Sequence, residues 1–335
     1  MRLQTPRWWY DRDPEAHRLA RTLLTPLGWV WGAATARRLA RGERAKVEAP
    51  VICVGNLTVG GTGKTPVVRA VAQALAARGH QVHLLARGHG GSLAGPVRVD
   101  PEAHAASDVG DEPLMLAADY PTWIARDRAA GARAAVEGGA EVIVMDDGHQ
   151  NPSLTIALSL VVVDGETRDE EWPFGDGRVF PAGPMREPLM VGLARADAAV
   201  VLLPIGMPVA EPDLLRGLAA KPVLVAHLQS AAPPPAGPQF GFAGVGKPWK
   251  VERALRAAGC DLVGFEAFAD HAPYDAATLA RLGGEAERLG AGLVTTEKDW
   301  ARLPAEWRRR VAAWPVRAVF DDGAALADLL AGTGL

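Results

Sequence analysis

Residues 51–73 read VICVGNLTVGGTGKTPVVRAVAQ. Val51 to Val54 is a short apolar run rich in β-branched side chains, the pattern of a buried strand. GNLTVGGTG, from Gly55 to Gly63, is a glycine-dense turn, and Lys64-Thr65 opens a helix. Pro66 suits the first helical turn, where its missing N–H had no partner to lose. Strand, glycine loop and helix in this order make a phosphate cradle. Backbone N–H groups converge, the helix N-terminus adds positive potential, and glycine lets the main chain approach an anion closely. In such a cradle Lys64 is expected to reach the β- and γ-phosphates of a nucleotide, and the Thr65 hydroxyl to hold Mg²⁺. The usual pattern has glycine five residues before Gly63. Thr58 stands there instead, and Gly60 and Gly61 supply the flexibility.

A chain of 335 residues with 48% apolar and 22% charged side chains is long enough for two domains and a full core. A net charge of −3 gives no bulk electrostatic support for binding nucleic acid. The charge is uneven, since residues 1–50 hold ten Arg and Lys against five Asp and Glu. Cys53 and Cys260 are too few and too far apart for a disulfide framework or a zinc site, which fits a reducing compartment. The polar, charged N-terminus does not read as a cleavable signal peptide.

The first 46 residues differ in character from the rest of the chain. Trp8-Trp9-Tyr10 lies beside Arg7 and Arg12, and Ala16, Leu19, Ala20, Leu23, Leu24 and Leu27 recur at helical spacing. Arg18 and Arg21 fall on the other face. Thr22 to Ala36 is an uncharged run of fifteen residues, interrupted by Pro26, Gly28 and Gly32. It is too short and too broken to span a bilayer. Arg37, Arg38, Arg41, Arg44 and Lys46 come next. Two readings stand side by side: an amphipathic helix lying in the plane of an anionic membrane, or a helix packed on the domain with a solvated basic face.

From Val51 onward strands alternate with helices, which predicts a mostly parallel sheet covered on both faces. The expected architecture is α/β: a P-loop domain over 47–232, a stiff proline-rich linker over 233–239, and a smaller α/β domain over 240–335. Strand ends carry the polar residues. Asp146-Asp147 closes the apolar run Val142–Met145, where a carboxylate can hold Mg²⁺. Asp111-Glu112, Arg126, Arg128, Arg186 and Glu187 are candidates to take up a hydroxyl proton or to neutralise a transferring phosphoryl group. Asp270-His271 in the second domain gains interest only if the two domains close over the nucleotide.

GNLTVGGTGKTP, RGHGG, GDEP, DDGHQN, FPAGPMREP, FADH and TTEKD occur in this order. Together they resemble the tetraacyldisaccharide 4'-kinase family, the lipid A 4'-kinases, over nearly the whole chain. The resemblance implies transfer of the ATP γ-phosphoryl group to the 4'-hydroxyl of a tetraacylated disaccharide 1-phosphate. The protein would be peripheral, on the cytoplasmic face of the bacterial inner membrane. By motif, Thr58, Val59, Gly60, Gly61, Thr62, Gly63, Lys64 and Thr65 would bind ATP. Asp111 and His271 would form the pair that activates the hydroxyl, with Asp147 also in the catalytic set. Thr65, Asp146 and Glu112 would serve Mg²⁺, and Arg128, Arg186 and Glu187 the substrate or its phosphate. The family usually has Tyr where this chain has His89, and His where it has Asn151. Two other classes share parts of the pattern. Partitioning-type membrane ATPases carry KGGTGKT, but Val59 replaces their lysine. A non-catalytic nucleotide switch needs only the loop.

Overall fold

The computed structural model describes residues 6–13, 15 and 17–335. Their strands are β1 Val51–Asn56, β2 Val82–Ala86, β3 Val97–Arg98, β4 Thr122–Ile124, β5 Val142–Asp146, β6 Leu158–Asp164, β7 Ala198–Leu203, β8 Val223–Ser230, β9 Gln239–Ala243, β10 Leu262–Ala267, β11 Gly292–Thr296, β12 Val311–Trp314 and β13 Val316–Phe320. They form two sheets, one of nine strands in the order β13-β8-β7-β6-β1-β5-β2-β4-β3 and one of four in the order β10-β9-β11-β12. The interior of the large sheet is parallel, and its edge strands β3 and β13 run antiparallel to their neighbours. β1 lies between β5 and β6, with Ile52 opposite both Val144 and Leu158. The strand order reverses at β1. The carboxyl end of β1 is therefore the switch point at which such sheets bind ligands.

The continuous apolar runs of β1, β5, β6 and β7 come from burial on both sides. Side chains alternate between two cores. Ile52, Val54, Val144, Leu160 and Val200 face the helix Lys64–Ala76, which buries Val67, Val68, Val71 and Leu75 against them. Val51, Cys53, Ile143 and Met145 face the helix Arg128–Glu137 on the other side. The small parallel sheet repeats the plan, with helix Ala276–Arg288 on one face and helix Pro248–Ala257 on the other.

Two expectations are corrected. The second domain was expected to run from 240 to 335. Instead β13 returns to the large sheet, pairing Val316–Phe320 with Ser230–Ala226 of β8. The helix Gly323–Ala331 then adds Leu326 and Leu330 to the core beneath helix Lys64–Ala76. This return gives β8 a partner and covers apolar surface that would otherwise stay wet. The second unit is thus an insertion, which the linear pattern of strands did not reveal.

The N-terminal segment was expected to be helical, its uncharged run broken by Pro26, Gly28 and Gly32, with Arg21 on the face opposite the leucines and, if the helix packs on the domain, in a solvated basic face. Ala16 lies outside the described residues. From Arg18 to Arg41 the helix is continuous through Pro26, Gly28 and Gly32, and Arg21 is fully buried. Its guanidinium donates to the carbonyls of Asp13 and Trp8 at 2.9 Å and of Asp11 at 3.2 Å, and pairs with Asp176 at 3.3 Å. The buried stripe is Arg21, Gly28 and Thr35, spaced by sevens. Gly28 is required there, because a Cβ would lie 2.7 Å from the Val179 carbonyl oxygen. Leu19, Leu23, Leu27, Trp29 and Val30 point outward, Leu19 being 81% and Trp29 72% exposed. The helix is inside-out for water: its contact with the protein is polar or small, and its exposed side is apolar. Among the described residues no helix is long and apolar enough to cross a membrane.

Arg21→Met would strand three carbonyls and weaken the compensation of Asp176. Breaking one side of a buried charged cluster costs about 3–5 kcal/mol. Hydrogen exchange should show helix Arg18–Arg41 losing protection while β1 keeps its own.

Candidate active site

The carboxyl ends of both sheets face each other across a cavity of about 920 Å³. On the large-sheet side the loop after β1 leads into helix Lys64–Ala76, with Gly60 at φ +97° and Gly63 at φ +75°. Both conformations favour glycine. At Gly63 a Cβ would also press on Leu202. Asn56 braces the loop from within, its amide donating to the Thr58 carbonyl at 2.8 Å and to Thr62 Oγ1 at 3.2 Å.

Val59 to Thr65 line the cavity, but Thr58 does not. It is buried and forms a bridge with Met185, and its carbonyl accepts from Arg186 Nε at 3.0 Å. The Val59 N–H donates to the Pro184 carbonyl at 2.7 Å. The first half of the loop is thus tied to residues 184–186. This is why Thr58 is tolerated where glycine is usual: it acts as an anchor outside the cradle.

Asp146 and Asp147 end up in opposite states. Asp147 sits at φ +55°, and its carboxylate accepts both Arg186 nitrogens at 2.6 and 3.0 Å, with Lys64 at 3.6 Å. Burial alone would raise its pKa, but Lys64 and Arg186 outweigh it and hold the carboxyl well below the usual range. Asp146 is buried, and its Oδ1 has no hydrogen-bond partner. Burial first and the Glu112 charge second push it up to about 7.

The small sheet brings Asp270-His271 from the turn after β10 and Lys298 from the helix after β11. His271, at φ +56°, places Nδ1 3.0 Å from Asp111 Oδ2. A carboxylate only accepts, so Nδ1 carries the proton, and Nε2 accepts from Lys298 Nζ at 3.3 Å. His271 lines the cavity, whereas Asp111 is buried behind it. Burial would raise Asp111, but the His271 hydrogen bond and the Lys298 and Arg302 charges overcome this and lower it to about 2. Lys298 also pairs with Glu112 at 3.1 Å. His89 packs edge-on against His271, with ring centroids 5.5 Å apart.

The remaining expected residues divide. Arg128 is buried and lines the cavity, its guanidinium donating to the Ala125 carbonyl. Burial, with Arg87 nearby, lowers it to about 10. Glu187 is not part of the cavity wall. Its Oε1 accepts from Arg195 at 2.6 Å and from Gln150 at 3.0 Å inside the protein. Asn151 lines the cavity and caps its own turn, accepting from Ser153 N at 2.8 Å. Sequence reasoning assigned no role to Lys247, Lys298 or Gln150, and named Asp270 only beside His271; all four line the cavity. Lys298 and Asp270 lay within the motifs TTEKD and FADH. Lys247 carried no signal, because its neighbours in space lie far away in sequence.

This is the fold of a P-loop kinase, with the phosphate loop facing an imidazole–carboxylate pair supplied by both sheets. More narrowly, the chain belongs to the tetraacyldisaccharide-1-P 4'-kinase family, whose profile matches residues 20–333. It is 64% identical over 332 residues to the tetraacyldisaccharide 4'-kinase of Phenylobacterium zucineum (strain HLK1), covering 99% of this chain and 100% of that one. It is 62% identical over 335 residues to that of Caulobacter sp. (strain K31), covering all of both. The crystal structure of the "apo" form of LpxK from Aquifex aeolicus in complex with ATP superposes with a TM-score of 0.73 at 25% identity, covering 93% of this chain and 99% of that one.

The folded pKa of Asp111 lies below the unfolded value, so its contribution to stability is full above the ordinary carboxylate pKa and is lost as pH falls toward the folded one. Asp111→Asn is expected to cost about 2 kcal/mol at neutral pH. Its deficit relative to wild type, measured by urea unfolding, should close between about pH 4 and about pH 2.

Proposed function

We propose that this chain transfers the γ-phosphoryl group of ATP to the 4'-hydroxyl of a tetraacylated glucosamine disaccharide 1-phosphate, the step named by its family. The observation that carries this reading is the His271–Asp111 contact at 3.0 Å, which sets an oriented base opposite the phosphate loop. Backbone N–H groups of Gly60 to Thr65 cradle the phosphates, and Lys64 neutralises the β/γ charge. The acceptor hydroxyl enters beside His271. Lys298 gives up its contact with Nε2 as the hydroxyl arrives, and the hydroxyl proton passes to Nε2 as its oxygen bonds the γ-phosphorus. The bond from that phosphorus to the bridging oxygen breaks, and ADP leaves. Asp111 holds the ring in the required tautomer and stabilises the imidazolium that forms. Arg128 and Arg186 face the same cavity and offset charge on the phosphoryl oxygens. Thr58 and Glu187, expected to touch ligands, act instead as supports for the loop and for Gln150 and Arg195.

Mg²⁺ fits this site. The orphaned Asp146 oxygen, Thr65 and Glu112 line one cavity, and an ion that keeps several waters needs few protein ligands. Asp146, Thr65 and Glu112 would hold the ion, which would supply positive charge to offset that of the nucleotide phosphates.

The N-terminal helix is the membrane contact in this reading. Its outward apolar side and the exposed Arg37, Arg38 and Arg41 suit an anionic bilayer surface, and Trp31, Thr35 and Arg38 line the cavity from the same helix. The protein would then be peripheral, on the cytoplasmic face of the inner membrane, meeting its lipid acceptor where that lipid resides.

Labelled ATP incubated with the disaccharide 1-phosphate should yield a product labelled at the 4'-position. Asp111→Ala and His271→Ala should each lower kcat by about 10²–10⁴-fold with nucleotide affinity nearly intact. The double variant should be little worse than the worse single one, because the pair acts as a unit. Multiplying losses would assign the two residues separate tasks, and no labelled lipid would defeat the proposal. Trp29→Ser with Val30→Ser should reduce co-sedimentation with anionic vesicles while sparing activity on detergent-dispersed acceptor. Unchanged sedimentation would leave the helix without a membrane role.

A further inference from the structure

Tyr10 belongs to the short turn Arg7–Tyr10 before the N-terminal helix, far in sequence from the phosphate loop, yet it touches that loop. Its side chain is 2% exposed. The hydroxyl donates to the Val59 carbonyl at 2.5 Å. Burial, with Asp164 and Glu171 nearby, raises the pKa of the phenol, so it stays protonated and remains a donor. The ring face carries Lys247 Nζ at 3.5 Å from its centroid. Lys247 in turn pairs with Asp164 at the end of β6, at 2.9 Å. The residue before it, Gly246, packs on the phosphate loop so closely that a Cβ would lie 2.8 Å from the Gly61 nitrogen.

Val59 is therefore held on both of its polar groups. Its N–H is committed to Pro184, and its carbonyl to Tyr10. Beyond it come Gly60 and Gly61, which have the least intrinsic preference for any one conformation. The Val59 carbonyl and the Gly60 N–H share one planar peptide unit, so holding the first sets where the second points and where the chain enters Gly61. The same aromatic ring also meets the turn that the small sheet lays against Gly61.

We propose that Tyr10 is a positioning residue for the phosphate loop, fixing Val59 by its hydroxyl and the Gly246–Lys247 turn by its ring. The N-terminal segment then does more than face a membrane: it preorganises the nucleotide site. This inference rests on the reading of residues 59–65 as the ATP phosphate cradle.

The test compares wild type, Tyr10→Phe and Tyr10→Leu as full chains. Tyr10→Phe keeps the ring over Lys247 and removes only the hydroxyl. It should weaken binding of a fluorescent ATP analogue, measured without lipid, by about 5–10-fold, the scale of one hydrogen bond. KM for ATP should rise by the same factor, with KM for detergent-dispersed lipid acceptor unchanged. Tyr10→Leu, which also releases Lys247, should be weaker still. Amide exchange at Gly60 and Gly61 in the unliganded protein should quicken in Tyr10→Phe while β1 is unaffected. That local readout decides the matter even if a variant loses stability. Wild-type analogue affinity in Tyr10→Phe, or equal rises in both KM values, would overturn the proposal and leave the kinase reading intact. Failure of the wild type to bind the analogue would overturn the phosphate-cradle reading, and this inference with it.

Discussion

The two sheets are held face to face by charge, and the polarity of that seam is nearly uniform. The large sheet contributes acids: Asp111, Glu112, Asp164 and Glu166. The small unit answers with bases: His271 at 3.0 Å from Asp111, Lys298 at 3.1 Å from Glu112, Lys247 at 2.9 Å from Asp164 and Arg253 at 3.1 Å from Glu166. Among the described residues, Arg69 and Glu297, 2.9 Å apart, reverse the order. An apolar seam would close on itself and expel water. A seam of directional pairs holds a fixed geometry while leaving a polar cavity between its halves. The cost of burying these charges is repaid only when the partners meet in register, so the seam specifies one arrangement of the two units.

The chemistry of the cavity depends on that arrangement. Asp147 and His271 both adopt left-handed backbone conformations, which non-glycine residues rarely occupy. Asp147 directly follows β5 and turns back to Arg186 and Lys64 of its own unit, whereas His271, in the turn after β10, reaches across to Asp111. Such local strain persists when surrounding contacts over-determine it. Arg186 grips Asp147 with two nitrogens, and Asp111 grips the His271 ring. The neighbouring aspartate, Asp146, has no such grip. Two adjacent carboxylates thus acquire opposite proton affinities from their surroundings alone.

Much of the large sheet was legible because a strand buried on both faces writes itself as an uninterrupted apolar run. The runs Val51–Val54 and Val142–Met145, read as strands from the sequence, lie within β1 and β5. The phosphate loop was legible because its glycines, lysine and threonine serve one local purpose. The pairing of Asp111 with His271 came from motif resemblance, since 160 residues separate them and no periodicity links such residues. Glu187 was expected at the substrate phosphate; its motif neighbour Arg186 faces the cavity, while the Glu187 carboxylate turns inward to Gln150 and Arg195. Arg21 was misread because arginine on a helix usually marks the wet side. Its burial depends on carbonyls of a preceding turn whose path no local pattern gives. The return of β13 was hidden for a similar reason: an edge strand of mixed polarity does not declare which sheet it will join.

That return has a mechanical consequence. The chain leaves the large sheet after β8 and comes back at β13, and these strands are hydrogen-bonded neighbours. Beside them the Ala231 N–H donates to the Pro315 carbonyl at 2.9 Å, so the outgoing and incoming crossings run together. The small unit therefore hangs from a pair of adjacent straps rather than a single string. Two straps side by side resist twisting and sliding of the small unit better than one would, and so help to hold its charged groups in register with those of the large sheet.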